Sequence, residues 1–288
     1  QCHIENGILR FPKIMNLEVK TSLKNVDLRE VRIIPQGVGY TVEIVYEREI
    51  ENIENVKPKR IMGIDIGLRN IVTIGDNISK EGIAVKGGVL KSINQFFNKE
   101  YAILRSISDR QIGSKQLTKR EKRLFMKRNR KIKEIMHKLS KAIVQYAKSN
   151  DIDTIVIGHN NGWKQSVNMG KKNNQKFVQI PFNTLIQQLK YKLEEIGINV
   201  IIEDESHTSK CSFLDNESIE HHDEYTGKRI KRGIFRSADG TLIHADLHAS
   251  YNMIRKAIPE AFADGIEGIG LYPRSLSIRQ MITSKGGC

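Results

Sequence analysis

Three acidic residues stand where a carboxylate is costly unless something offsets its charge. Asp65 ends the apolar run IMGID (61–65) between Gly63 and Gly67, Glu205 closes INVIIEDE (198–205), and Asp246 opens ADLHASYNMIRKAI (245–258). A strand-end Asp can simply cap a turn. Three carboxylates at element ends bordering one sheet suit hard divalent cations instead, because Mg²⁺ (or Mn²⁺) takes oxygen ligands and keeps several waters. Two such ions about 3.5–4 Å apart activate a water and stabilise the departing oxygen of a phosphodiester. A metal-dependent nuclease is the chemistry this trio suggests, with Asp65, Glu205 and Asp246 as both catalytic and metal-holding residues.

The basic residues point to the substrate class. The 288-residue chain has a formal net charge of +14, and the stretch 114–141 alone holds twelve Lys and Arg against Glu121 and Glu134. A helix carrying Lys119, Arg120, Arg123, Lys127, Arg128, Arg130 and Lys131 neutralises phosphates without reading sequence, in a salt-sensitive way. Lys210, Lys228, Arg229 and Arg232 extend this set. Trp163, beside Lys164, either anchors a loop on the core or stacks on a base. His221, His222, His244 and His248 lie in the same region as Cys211 but lack the paired spacing of a zinc site. Cys2, Cys211 and Cys288 are too far apart for a disulfide framework, which fits a reducing, cytoplasmic setting. No apolar run is long enough to span a bilayer, and no signal peptide is evident.

The elements that position these residues follow from periodicity. Short alternating runs between Gly7 and Arg48 read as a small antiparallel sheet, and ENIENVKPKR (51–60) as a linker. IMGIDIG, IVTIGD and IAVKGG read as an antiparallel meander. A helical region follows over 92–149, with Ile132, Ile135, Leu139 and Ile143 on one face. TIVIG (154–158) is a central strand. A helix after Pro181 has Asn183 as its expected N-cap and Gly197 as its stop, and a further strand lies over 198–206. A polar insertion to about His244 and a helix from near Asp246 complete a mixed α/β pattern.

The ordered series GIDIGLRN, IVIGHNNGWKQ, IPFNTLIQQLKYKLEEIGI, EDESHTSKCSFLD, GKRIKRGIFRS and HADLHASYNMIRK resembles the TnpB (OrfB) proteins of bacterial insertion sequences, relatives of the type V CRISPR effector nucleases, over about 60–270. The resemblance implies a RuvC-like ribonuclease-H fold over 58–288, with a basic helical insertion at 92–150, preceded by a partial β-barrel wedge domain at 1–57. It implies RNA-guided cleavage of double-stranded DNA, with a guide RNA from the element's own transcript. Asp65 matches the first catalytic aspartate and Asp246 the last. Many members place a glutamate where Gly158 stands here; in the branch this chain resembles, the glutamate of the E-S-x-T-S-K motif, Glu205, takes over. The cysteine pairs of the family are reduced to Cys211, so 206–244 reads as a zinc ribbon without its metal, held by other packing. His248 replaces an asparagine common in the family, and Asn252 is retained.

A different class of reading is a nuclease-inactive or truncated guide-RNA- and DNA-binding repressor. Gly158 and the start of the chain at Gln1, with the family's recognition elements expected upstream, keep it open. An ATPase of the actin and Hsp70 type would also place GIDIG after a strand, but needs a second Asp-x-Gly loop that this chain lacks.

Overall fold

The alternating segments near the start of the chain form two separate sheets rather than one. β1 (His3–Glu5), β2 (Ile8–Arg10) and β3 (Glu18–Lys20) make an antiparallel sheet, while β4 (Asp27–Gln36) and β5 (Gly39–Glu47) pair as a long hairpin. The structure, a computed structural model, describes residues 1–49, 57–79, 81–111, 116–159 and 179–284. Two units divide the chain: Gln1–Glu51 with Phe97–Arg130, and Asn52–Phe96 with Lys131–Cys288.

In the first unit, Thr118 and Glu121 form a reciprocal cap at the start of α2 (Lys119–Ser149): the Glu121 backbone N–H donates to Thr118 Oγ1, and the Thr118 N–H donates to Glu121 Oε2 at 2.6 Å. Such a box satisfies two backbone donors that the first turn would otherwise leave unpaired. Phe97 and Tyr101 of α1 (Gly88–Gln111) meet Phe125 of α2 edge-on, at 4.7 and 5.1 Å between ring centres.

The second unit is built on a six-stranded mixed sheet ordered β10-β9-β6-β7-β8-β14. β6 (Ile61–Asp65), β7 (Asn70–Asp76) and β8 (Ile83–Lys86) form the expected meander; β9 (Thr154–Gly158) and β10 (Asn199–Glu203) run parallel to β6. β14 (Arg274–Ser277) adds a parallel edge strand beside β8. One face is covered by the apolar stripe Ile132, Met136, Leu139, Ile143 and Ala147 of α2, by Leu185, Leu189 and Leu193 of α3 (Phe182–Glu194), and by Met281 of α5 (Ile278–Thr283). The other face receives α4 (Ala245–Ala257), through Leu247, Tyr251 and Ile254.

The N-cap of α3 is Pro181, without a side-chain cap, so Asn183 lies inside the first turn rather than capping it. Gly197 does end the segment, at φ +78°, a left-handed conformation that an L side chain adopts only with strain. Among the described residues no helix is long and apolar enough to cross a membrane.

Candidate functional site

Glycine brings α4 onto the sheet. Gly63 of β6 is paired with Gly75 of β7, and both face α4. A Cβ on Gly63 would collide with the Ser250 carbonyl oxygen, and one on Gly75 would lie 2.6 Å from the Tyr251 ring. With neither present, the α4 backbone sits directly on the strands and its first turn reaches the end of β6. Asp246 lies in that first turn, where the positive end of the helix dipole favours a carboxylate.

Asp65, Glu205 and Asp246 thus lie toward the carboxyl ends of the parallel strands β6, β9 and β10, where open α/β sheets commonly carry their ligands. Asp65 is the last residue of β6. Glu205 follows β10, and its side chain turns inward over β9: a Cβ at Gly158 would stand 2.7 Å from Glu205 Oε1 and 2.8 Å from its Cγ. Gly158 thus leaves open the space that the Glu205 carboxylate fills. Lys256 of α4 fastens the approach to Glu205, donating to the Asp204 carbonyl at 2.7 Å and lying 3.4 Å from Glu203 Oε1.

The electrostatics follow. Desolvation, then the charges of Asp246 and Glu205, hold the Asp65 carboxyl well above the usual carboxylate range, with Arg229 pulling the other way. Burial, with a contribution from Asp204, pushes Glu205 up to about 7. Among the described residues no three His, Cys, Asp or Glu side chains are already gathered as a metal-ligand set. Crowded, like-charged, oxygen-only donors at a strand end are nonetheless what a hard divalent cation relieves.

Asp246 has two partners that composition and periodicity do not reveal. Asn70 Nδ2 donates to Asp246 Oδ2 at 2.8 Å, and Lys86 Nζ donates to Asn70 Oδ1 at 3.2 Å. Arg229 Nη2 lies 4.0 Å from Asp246 Oδ1, which brings this residue of the basic set to the acids. Asn70 closes the GIDIGLRN motif, the only sequence signal that could have singled it out.

The remaining basic residues are spread out. Lys119, Arg120, Arg123, Lys127 and Arg130 are exposed on α2 in the first unit, and Lys131, also exposed, belongs to the second. Arg128 differs: it is half-buried, with its guanidinium 5.5 Å over the Phe97 ring and one nitrogen on Asn129 Oδ1. Lys228 and Arg232 are exposed on and beside β11 (Lys228–Lys231), and Lys210 lies 5.7 Å over the Tyr225 ring. Trp163 and Lys164 fall outside the described residues.

The 206–244 insertion folds around β11, β12 (Ile234–Arg236) and β13 (Leu242–His244) and is held by a carboxylate hub. Glu217 accepts from the Ser212 N–H at 2.5 Å and from the Thr226 N–H and hydroxyl at 2.7 and 2.9 Å. Cys211 Sγ donates to the Glu220 carbonyl, and His222 Nε2 contacts the Ser218 carbonyl. His248 does not face the acids: it stacks on Phe235, with ring centres 4.0 Å apart, and accepts the Phe213 N–H on Nε2. Asn252 likewise serves the insertion, donating to the Thr208 and Cys211 carbonyls.

Comparison with known proteins gives two matches in order along the chain. Residues 43–164 match the OrfB_IS605 family, described as a probable transposase, and residues 182–253 match the Cas12f1-like TNB domain. The TnpB-like protein ORF457 of Acidianus two-tailed virus is 26% identical over 241 residues, covering 79% of this chain and 49% of its own. The Cas12f1 chain of a cryo-EM complex with sgRNA and target DNA shares the fold at TM-score 0.50 and 17% identity, covering 77% of this chain and 55% of that one. A CRISPR-Cas12f ternary complex aligns at TM-score 0.49 and 16% identity, over 77% of this chain and 44% of that one. The chain spans about half the length of these relatives. Two family matches in series, joined to a TnpB-like protein that aligns across most of the chain, make this chain similar to the TnpB (OrfB) proteins along most of its length.

Proposed function

We propose that this chain carries the nuclease portion of an RNA-guided, metal-dependent DNA endonuclease of a transposable element. In this reading the second unit is a RuvC-like ribonuclease-H domain and the N-terminal strands belong to a wedge domain. A guide RNA from the element and double-stranded target DNA are its partners. The observation that carries the proposal is the Glu205 carboxylate lying in the space a side chain at Gly158 would take, at the strand ends where Asp65 and Asp246 also lie.

Asp65, Glu205 and Asp246 would hold the divalent cations. When bound there, such ions supply an activated water and charge neutralisation at the phosphodiester. The protein's own contribution is to keep three carboxylates close despite their repulsion. The Gly63–Gly75 seat and the α4 N-terminus hold Asp246, and Lys256 fixes the turn that delivers Glu205. Arg229, close to Asp246, is placed to face a phosphate entering the site.

The test is incubation with guide RNA, target DNA and Mg²⁺, comparing the parent with Asp65→Ala, Glu205→Gln and Asp246→Asn. Each substitution is expected to abolish cutting while leaving guide and target binding intact, and Ca²⁺ to support binding without cutting. Equal cutting by parent and Asp65→Ala would remove the site. Guide-dependent binding by a parent that never cuts would favour the nuclease-inactive repressor.

A further inference from the structure

We propose that Asn70 is the positioning residue of Asp246, aimed by a bulge in β7 and locked in one orientation by Lys86; this rests on the metal-centre reading above. The backbone argument comes first. In β7, Thr73 pairs with Ala84 and Val72 with Val85, but Asn70 pairs with Lys86, so one extra residue is inserted between Asn70 and Val72. Simple alternation from Gly75 and Thr73, which face α4, would turn Ile71 toward α4 and Asn70 away. Instead Ile71 and Val72 both enter the core on the opposite face, and Asn70 reaches Asp246 on the α4 side. Bulges beside functional sites re-aim a side chain in this way.

The side-chain chemistry removes any ambiguity in the amide. A lysine ammonium only donates, so the Asn70 atom it meets is the carbonyl oxygen, and the amide N–H must face Asp246 Oδ2. Lys86 lies directly opposite Asn70 on the neighbouring strand, and Asn70 is only 2% exposed. A lysine placed against Asp246 itself would compete with an incoming cation. Interposing a neutral amide orients the carboxylate, leaves its charge available, and is polarised by the ammonium behind it into a stronger donor.

Partners of this kind are typically worth 10–100-fold in metal affinity. Titration of Mn²⁺ into the chain, followed calorimetrically, should show about tenfold weaker binding for Asn70→Ala and about threefold weaker for Lys86→Met. In an Asp246→Asn background, Asn70→Ala should cause no further weakening. The proposal is overturned if Asn70→Ala binds Mn²⁺ as the parent does, or if it weakens binding equally with and without Asp246. Should Asn70→Ala not fold, Lys86→Met decides, and unchanged affinity there overturns the proposal. Failure of the underlying metal-centre reading looks different: Asp246→Asn itself would then bind Mn²⁺ like the parent.

Discussion

Glu205 is held at a cost to the fold. Its carboxyl is pushed up to about 7 by burial and by Asp204, so above that pH the folded protein keeps a charge where the unfolded chain would place it in water. The sign follows from proton binding: the folded state holds the extra proton, so this group favours folding below its ordinary value and the benefit is lost as pH rises through 7. Glu205→Gln should therefore raise the metal-free thermal stability at about pH 8 by on the order of 2 kcal/mol. The gain should shrink as pH falls through 7 and vanish near the ordinary carboxylate range, while DNA cutting is lost. Thermal melts of both proteins across pH check this; a Gln variant no more stable at high pH would mean the carboxylate is not desolvated. Cation affinity should likewise fall by about tenfold per pH unit below 7, because one proton must leave before Glu205 can bind. His248 tilts stability the other way. Burial, with Arg255 nearby, lowers it to about 4, and protonation would break its bond to the Phe213 N–H, so stability from this group is lost as pH falls from the ordinary histidine range toward 4.

The parallel strands β9 and β10 offer two places from which a carboxylate can reach the same strand ends, and in the proposed site Glu205, after β10, supplies it. A Cβ on Gly158 would collide with Met253 Sδ and crowd Glu205, so Gly158→Glu should lose cutting by pushing Glu205 aside, at about 1–3 kcal/mol in stability from overpacking. Combined with Glu205→Ala it should instead recover part of the activity that Glu205→Ala alone lacks. Cleavage by the three variants under one set of conditions decides it, and a double variant as inactive as Glu205→Ala would mean that only β10 can supply the acid. How much of this is legible in the sequence depends on what each feature changes there. IMGID, TIVIG and NVIIE declare themselves strands by composition, and all three acids can be placed at element ends. The bulge in β7 cannot be seen, because an inserted residue reverses the facing of Asn70 without altering the apolar run around it. β14 is short and polar and becomes a strand only by pairing with β8. The Asn183 cap fails because Pro181 already starts α3 one residue before Phe182, leaving Asn183 within the turn.

Net charge, read from composition, treats every lysine and arginine alike, and the structure does not. Of the basic residues on α2 in the first unit, Lys119, Arg120, Arg123, Lys127 and Arg130 are exposed, while Arg128 spends its guanidinium on Phe97. These groups should part company in experiment. A protein that neutralises several phosphates releases their counterions on binding, so its affinity falls with salt along a slope of about 0.9 per phosphate contact on a logarithmic plot. Replacing Lys119, Arg120, Arg123 and Lys127 together by Ala should weaken binding to unrelated duplexes about equally and flatten that slope, with little change in melting temperature, because exposed cations contribute little to stability. Arg128→Ala should do the reverse: lower the melting temperature through lost packing and cation–π contact, typically worth about 0.5–2 kcal/mol, and leave the salt slope nearly unchanged. Filter binding across a salt series, with a melt of each variant, separates the two. An unchanged slope in the fourfold variant would mean that this face of α2 does not meet the phosphates, and a flattened slope in Arg128→Ala would mean that its guanidinium leaves Phe97 when nucleic acid binds.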